Sequence, residues 1–401
     1  MNGGPTAIVI GAQAPGLAVV RSLGRRGVTV LVATHSASEP AASSRYAAGV
    51  LIAPDPAIDP DGFVATLRNQ IRTDDRPVII PTSDSGVLAV ARNLDRLIDR
   101  HTVAGPSWPV AERFIDKRET VKLAAEIGVS VPPWSIPVDL THAAEIAEEV
   151  NYPVLVKPSQ GHVFTRHTGR KMLSVNDGPE LVAAVGLCTE IGIEALVQEI
   201  IPGPPEYGAN QIVYVRGSEV VAEFTSRKIR NWPTDWGSPC AVVSERIDGL
   251  AERTRRLLVA ADYEGVACAE YKFDARLDDY QLIEVNVRHN LSGALAPLCG
   301  VDFPWIDYST HAGLEMDEEI SEPESVMGVP WVDEFRDTAN LATTGTWWRD
   351  PGGAVAPYRG RGAHAFFDRD DMAPFWRRAA QLAGQGARRA RPRRDIQSTR
   401  T

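Results

Sequence analysis

Short apolar runs alternate with amphipathic stretches through the first hundred residues. "TAIVIGA" (6–12) and "VTVLVA" (28–33) are apolar almost throughout, the pattern of parallel strands covered on both faces. "GLAVVRSLGRRG" between them puts its aliphatic residues on one helical face, and "RPVIIPTSD" (76–84) repeats the strand pattern before helix "GVLAVARNLDRLI". Strand, helix and strand in this order predict a doubly wound α/β unit. "GPSWP" (105–109) marks a break, after which "VAERFIDKRETVKLAAEIGV" predicts a helix and "VPPW" a turn. A second, α+β region follows: strand "YPVLVKPS" (152–159), a loop, strand "KMLSV" (171–175), a helix, and strand "ALVQEII" (195–201). "NQIVYVRG" and "EVVAEFTSRK" predict a hairpin turning at Gly217-Ser218. "DGLAERTRRLLVAADY" (248–263) predicts a helix capped by Asp248 with Gly265 beyond its end, and "GVACAEYKFDA" and "YQLIEVNV" predict paired strands joined through "RLDDY".

In "QLIEVNVRHN" (281–290) a polar residue recurs at every second position. Strict alternation would send Leu282, Glu284, Asn286 and Arg288 to one face and Ile283, Val285 and Val287 to the other. Edge strands with a solvated polar face are common. Glu and Asn are poor strand formers, however, and Glu-x-Asn offers two hard oxygen donors of the kind Mg²⁺ prefers.

Composition narrows the possibilities. At 401 residues the chain exceeds one ordinary core, and two or three domains are expected. Cys188, Cys240, Cys268 and Cys299 lie far apart with no C-x-x-C pair, which argues against a zinc site or a disulfide framework and suits a reducing cytoplasm. The N-terminal stretch has no basic region and its apolar run is too short for a signal or a membrane span. The net charge of −10 is uneven: eight Arg and one acid lie from Trp376 onward, leaving 34 basic and 51 acidic residues before it, a balance of −17. An acidic body speaks against nucleic acid as the main partner, and the Arg-rich tail reads as a disordered segment.

The turn "GAQAPG" (11–16) has the first and last glycines of a dinucleotide fingerprint, but Gln13 replaces the middle one. The second strand ends in Ala33-Thr34-His35 without an acid for a ribose. An NAD(P)-binding oxidoreductase is therefore the alternative reading, and a glycine turn that packs a strand on a helix is the plainer one.

Taken in chain order, Lys117, Lys157, the polar loop 159–171, "VQEIIPGPPE", "SRKIR", Glu270 and Glu284-x-Asn286-x-Arg288 resemble the ATP-grasp superfamily over residues 5 to 310. "IIPTSDSGV", "IDKRETVKLAAEIGVSVP" and "VLVKPS" look most like its carboxylate–amine ligases, the group that includes D-aspartate ligase. The resemblance implies an ATP-grasp architecture behind a Rossmann-like domain, in five parts: 1–110 the Rossmann-like domain, 111–205 the first ATP-grasp part, 206–320 the second, 321–375 an extension and 376–401 the tail. It also implies roles. Lys117, Lys157 and Lys171 would meet phosphates, with 159–171 as the phosphate flap. Gln198, Glu199, Ile200 and Ile201 would form the adenine hinge, its hydrogen bonds coming from the main chain, and Glu206 would grip the ribose. Glu270, Glu284 and Asn286 would hold two Mg²⁺, with Mn²⁺ as a substitute. Arg288 would steady an acyl phosphate or tetrahedral intermediate. Arg227 and Lys228 would supply one or two further cations, and the sequence does not say which of Arg227, Lys228 and Arg230 does so.

The implied activity is ATP-dependent joining of a small carboxylate to an amine through an acyl phosphate, with ADP and phosphate released. A non-catalytic nucleotide-binding protein is a third reading. Ser83-Asp84 and Arg288 are expected to face the cleft, and Trp232, Pro233 and Trp236 form either an aromatic lid or loop packing. The resemblance further implies small-molecule substrates, a cytoplasmic enzyme without a membrane partner, and a homodimer.

Overall fold

The computed structural model describes residues 4–70, 76–234, 237–315 and 327–390. Strands β1 (Ala7–Ile10), β2 (Val30–Thr34), β3 (Gly49–Ile52), β4 (Val78–Pro81) and β5 (Thr102–Val103) make a parallel sheet of order β3-β2-β1-β4-β5. Every residue of β1 and β4 is buried. Val9 packs with Leu17 and Val20 of helix Ala14–Arg25, and Ile8 and Ile10 pack with Phe63 and Val90 on the other face. Helices on both faces are what the unbroken apolar runs require.

Strands β6 (Trp134–Ser135), β7 (Val154–Pro158), β8 (Leu173–Val175) and β9 (Ala195–Glu199) form an antiparallel sheet of order β6-β9-β7-β8. Its core includes Val154, Val156 and Val197 packed with Ala143, Ile146, Leu181 and Val185 of helices Leu140–Glu149 and Gly178–Glu190.

The third sheet holds β10 (Gly208–Arg216), β11 (Glu219–Trp232), β12 (Ser238–Ser244), β13 (Gly265–Asp274), β14 (Asp279–Asn286), β15 (Pro330–Val332) and β16 (Ala363–His364), ordered β14-β13-β10-β11-β12-β15-β16. The hairpin turns at Gly217-Ser218, both at positive φ (+58° and +65°), as a tight right-twisted connection needs. One face carries Ala209, Val213, Ala267 and Ala269 into a core under helices Trp108–Ile115, Lys117–Glu126 and Leu250–Ala260. The opposite face changes character along the strands. Ile212, Tyr214, Val266 and Cys268 join the core shared with the parallel sheet, whereas Gly208, Asn210, Glu270 and Lys272 line a cleft.

Five local expectations need correction. The helix expected through 110–129 is two helices, broken at Asp116, whose carboxylate accepts from Arg118 N at 3.0 Å and starts the second one. The loop 159–171 contains helix Gly161–Thr168, closed by Gly169 at φ +73°, because the stretch has few glycines to keep it open. Gly249, at φ +84°, caps helix Leu250–Ala260, not Asp248. In β14 a register shift sets Glu270 opposite Glu284 but Tyr271 opposite Leu282, so Ile283 bulges. Leu282 thereby joins Val285 and Val287 in the core, and Ile283 turns to the cleft beside Glu284.

The last correction concerns the tail. Helix Ala373–Ala390 runs through the start of the Arg-rich segment. Phe375 packs against Phe335 (ring centroids 5.1 Å apart), Arg378 lies over Phe366, and Gln381 Nε2 donates to Ser38 O at 3.0 Å. Apolar anchors at its start give this helix the tertiary contacts that composition alone did not reveal. The rest of the tail, 391–401, lies outside the described residues.

Candidate active site

The cleft encloses about 1190 Å³ between the four-stranded and seven-stranded sheets, reaching Asp84 beyond β4. Lys157, the residue before the end of β7, is only 4 % exposed, and its Nζ donates to Gln198 Oε1 at 2.5 Å on neighbouring β9. That partner is neutral. Burial and then the nearby Lys117 push the Lys157 ammonium down to about 8.

Lys117, the first residue after the Asp116 cap, reaches Glu284 Oε2 at 2.6 Å. Glu284 is held well below the ordinary carboxylate range, chiefly by Lys117, against its burial. Burial opposes the Lys117 charge, yet the pairing keeps that ammonium above its usual value. Glu270, directly opposite Glu284, accepts from Lys228 at 2.6 Å. Lys228 reaches it by crossing β10 over Gly208, where a Cβ would sit 2.7 Å from Lys228 Cδ. Arg288 donates to Asp84 at 2.5 Å and to Asn286 Oδ1 at 3.0 Å, and Asn286 Nδ2 donates to Glu284 Oε1 at 3.4 Å. The structure thus brings the sequence-nominated Lys117, Lys157, Lys228, Glu270, Glu284, Asn286 and Arg288 together in one polar cluster with Asp84.

The hinge residues Gln198, Glu199, Ile200 and Ile201 also line the cleft, and Lys171 stands at its edge with Nζ 3.4 Å from Ser238 Oγ. Three expected residues fall outside the lining: Ser83, whose hydroxyl caps helix Asp84–Arg92 by accepting from Gly86 N at 3.1 Å, Arg227 and Glu206. Arg227 points to the opposite face of β11 from Lys228 and pairs with Glu245 at 2.6 Å. Glu206 is exposed on the short helical turn Pro205–Tyr207, while Pro204, Pro205 and Gly208 around it face the cleft. The undecided third cation, Arg230, is committed elsewhere: its guanidinium binds the buried Asp337 at 2.7 and 2.9 Å. Trp232 and Pro233 do not line the cleft, and Trp236 lies outside the described residues. Lys272 escaped the sequence reading, although its place two residues after Glu270 on the same strand face was a usable signal. It lines the cleft and donates to Ile201 O at 2.7 Å and Gly203 O at 3.0 Å, so it props the strand-end loop.

No family model matches the chain. Among solved structures it is similar to biotin carboxylase from Campylobacter jejuni, solved with a β,γ-ATP complex (TM-score 0.64, 18 % identical, 81 % of this chain and 74 % of that one). It is similar to N5-carboxyaminoimidazole synthetase from Staphylococcus aureus (TM-score 0.64, 14 % identical, 88 % of both chains) and to L-amino acid ligase from Bacillus licheniformis (TM-score 0.60, 15 % identical, 80 % and 78 %). The chain has the ATP-grasp fold. Curated relatives are more distant in extent. Multifunctional protein pyr-3 of Neurospora crassa is 23 % identical over 239 residues, 58 % of this chain and 12 % of that protein. The carbamoyl phosphate synthase large chain of Thermotoga maritima is 24 % identical over 217 residues, 53 % of this chain and 19 % of that one. The chain spans less than a fifth of the length of these relatives.

Within the ATP-grasp fold the donor set at Glu270, Glu284 and Asn286 can be tested for a metal. Among the described residues no three His, Cys, Asp or Glu side chains gather for one. A cation here would rest on two carboxylates, set opposite each other by register, and one amide oxygen. Such a sparse, all-oxygen set fits Mg²⁺, which takes its remaining ligands from phosphate and water. No described helix is long and apolar enough to cross a membrane.

Proposed function

We propose that this protein is an ATP-dependent carboxylate–amine ligase. One observation carries the reading. In a chain of net charge −10, six cations and four carboxylates line the cleft, and the carboxylates include the facing pair Glu270 and Glu284. An excess of positive charge around two hard-oxygen ligands suits a polyphosphate carried with Mg²⁺. Structures similar in fold include complexes with β,γ-ATP and with MgADP, which supports nucleotide binding here.

Lys157 and Lys117 would hold phosphate oxygens, and the β9 strand end from Glu199 to Ile201 would offer main-chain groups to the adenine edge. Glu270, Glu284 and Asn286 would hold Mg²⁺, in two ions, which when bound neutralises phosphate charge and aligns the γ-phosphoryl. A carboxylate oxygen attacks that phosphorus while the bond to the β-phosphate oxygen breaks, giving ADP and an acyl phosphate. The amine then adds to the acyl carbon and phosphate departs. Arg288 and Lys228 face the charge that grows on these oxygens. Positioning and electrostatics suffice for both steps, so no nucleophilic side chain is required.

No residue of 6–35 lines the cleft, so the glycine turn takes no part in this site. A panel of carboxylates and amines with ATP and Mg²⁺ tests the proposal: a productive pair releases ADP and phosphate. Release of AMP and pyrophosphate would overturn it.

A further inference from the structure

The carboxylates best suited to a cation are not free. Glu284 is taken by Lys117 at 2.6 Å and Glu270 by Lys228 at 2.6 Å, both partly shielded from solvent. Arg288 is likewise taken by Asp84 at 2.5 Å. Lys117, Lys228 and Arg288 all belong to the cleft that would receive phosphates. The cluster is therefore self-neutralised: each group that would bind metal is matched to one that would bind phosphate. A fourth cation, Lys157, meets only the neutral Gln198.

We infer that Lys117 and Lys228 are resident counter-ions of the metal carboxylates, so that divalent metal and nucleotide bind by a single exchange of partners and each binds poorly without the other. This inference rests on the nucleotide-and-metal reading above but needs no carboxylate or amine substrate.

The physical argument is one of unpaired charge. A divalent ion arriving alone draws Glu270 and Glu284 away from their lysines and strands two ammonium groups beside a third, Lys157. Removing one partner of a shielded pair is costly because the other is left uncompensated. A polyphosphate arriving without metal draws the lysines away and strands two facing carboxylates against four phosphate charges. Arriving together, the metal satisfies the carboxylates and the phosphates satisfy the lysines, and no group is left without a partner. Gly208 lies under this path, since a Cβ there would stand 2.7 Å from Lys228 Cδ as it crosses to Glu270. Lys157 stands apart from the exchange, since its hydrogen-bond partner is the neutral Gln198, and it is the cation free to meet phosphate first.

Two variants give the inference a sign that simple loss of a ligand would not. Lys117→Met and Lys228→Met each release one carboxylate from its counter-ion. Each should bind Mn²⁺ alone at least tenfold more tightly than the parent protein, while binding ADP with Mg²⁺ more weakly.

The experiment is calorimetric titration of the full chain with ADP in EDTA, with ADP in Mg²⁺, and with Mn²⁺ alone, the last also followed by the paramagnetic resonance of free Mn²⁺. In the parent protein ADP should bind at least tenfold more tightly with Mg²⁺ than in EDTA, and Mn²⁺ alone should bind weakly. Thermal unfolding of each variant confirms that it is folded, and the parent titrations decide the matter even where a variant is not. ADP affinity indifferent to metal, or Mn²⁺ binding unchanged or weakened in both folded lysine variants, would overturn the exchange while leaving nucleotide binding intact. An absence of ADP binding under every condition would overturn the nucleotide reading itself, and the exchange with it.

Discussion

The Gly11–Gly16 turn and the face running from Glu270 to Arg288 belong to different sheets, one parallel and one largely antiparallel. At the turn, a Cβ on Gly16 would lie 1.9 Å from Gly11 O, and Thr82 Oγ1 donates to Ile10 O at 2.8 Å. Both contacts are internal, so the glycine lets the helix pack closely on the strand. At the charged face the charged groups are matched with one another, in three ion pairs that join Asp84, Lys117, Lys228, Glu270, Glu284 and Arg288 from five separate segments of the chain. Glycines that close a gap and charges that hold one open look alike as motifs. What separates them is whether the protein already supplies each group with a partner that it has no reason to give up.

Breaking the charged face should have the largest effect. Glu284→Gln keeps size and hydrogen-bonding capacity but removes a charge from the proposed Mg²⁺ site, so turnover should fall at least a hundredfold, about 2.7 kcal/mol of transition-state stabilisation. Turnover within tenfold of the parent enzyme would make Glu284 structural. Next in size, Lys157→Met should weaken ADP binding tenfold or more by calorimetry while raising the melting temperature of the ligand-free protein, because it removes a buried cation whose partner is neutral.

That gain carries a pH signature. The unfolded lysine keeps its proton to about its ordinary 10.5, whereas the folded one releases it near 8. Between these values the unfolded chain binds more protons, so the parent protein gains stability as pH rises through this window. The advantage of Met should be full below pH 8 and fade toward 10.5, and a difference in melting temperature that is flat from pH 7 to 10 would contradict it.

At the turn the expectation reverses. Gly16→Ala must push the helix from the strand and should cost about 3 kcal/mol in denaturant unfolding, with ADP affinity of the folded protein unchanged. A selective loss of nucleotide affinity would reopen the turn as a binding site. The smallest effect is expected beside Lys228. Arg227→Ala removes only a half-exposed ion pair with Glu245 and should change stability by less than about 1 kcal/mol and turnover by less than twofold. Lys228→Ala, one residue on, should lose turnover heavily.

Much of this was legible in the residues. The unbroken apolar runs at 7–10 and 78–81 required a buried parallel sheet, and Gly217-Ser218 required a tight hairpin, because burial and positive φ are demands that local sequence states directly. The order of Lys117, Lys157, Glu270, Glu284, Asn286 and Arg288 carried the resemblance to the ATP-grasp superfamily, and that resemblance nominated a polyphosphate, while Glu-x-Asn by itself suggested a hard divalent cation. Pairing was not legible. The sequence could not say that Asp116 would break a helix so that Lys117 meets Glu284, that a bulge at Ile283 would keep Leu282 in the core, or that Arg227 would face away while Lys228 crosses Gly208 to Glu270. Nor could it say that the Arg-rich end begins as a helix seated on Ser38 and Phe335. Periodicity reports which face a residue takes only while the register is unbroken, and composition reports disorder only where no distant surface offers contacts. Which charges neutralise each other is decided by strands and helices brought together from 42 to 204 residues apart, and so only by the tertiary structure.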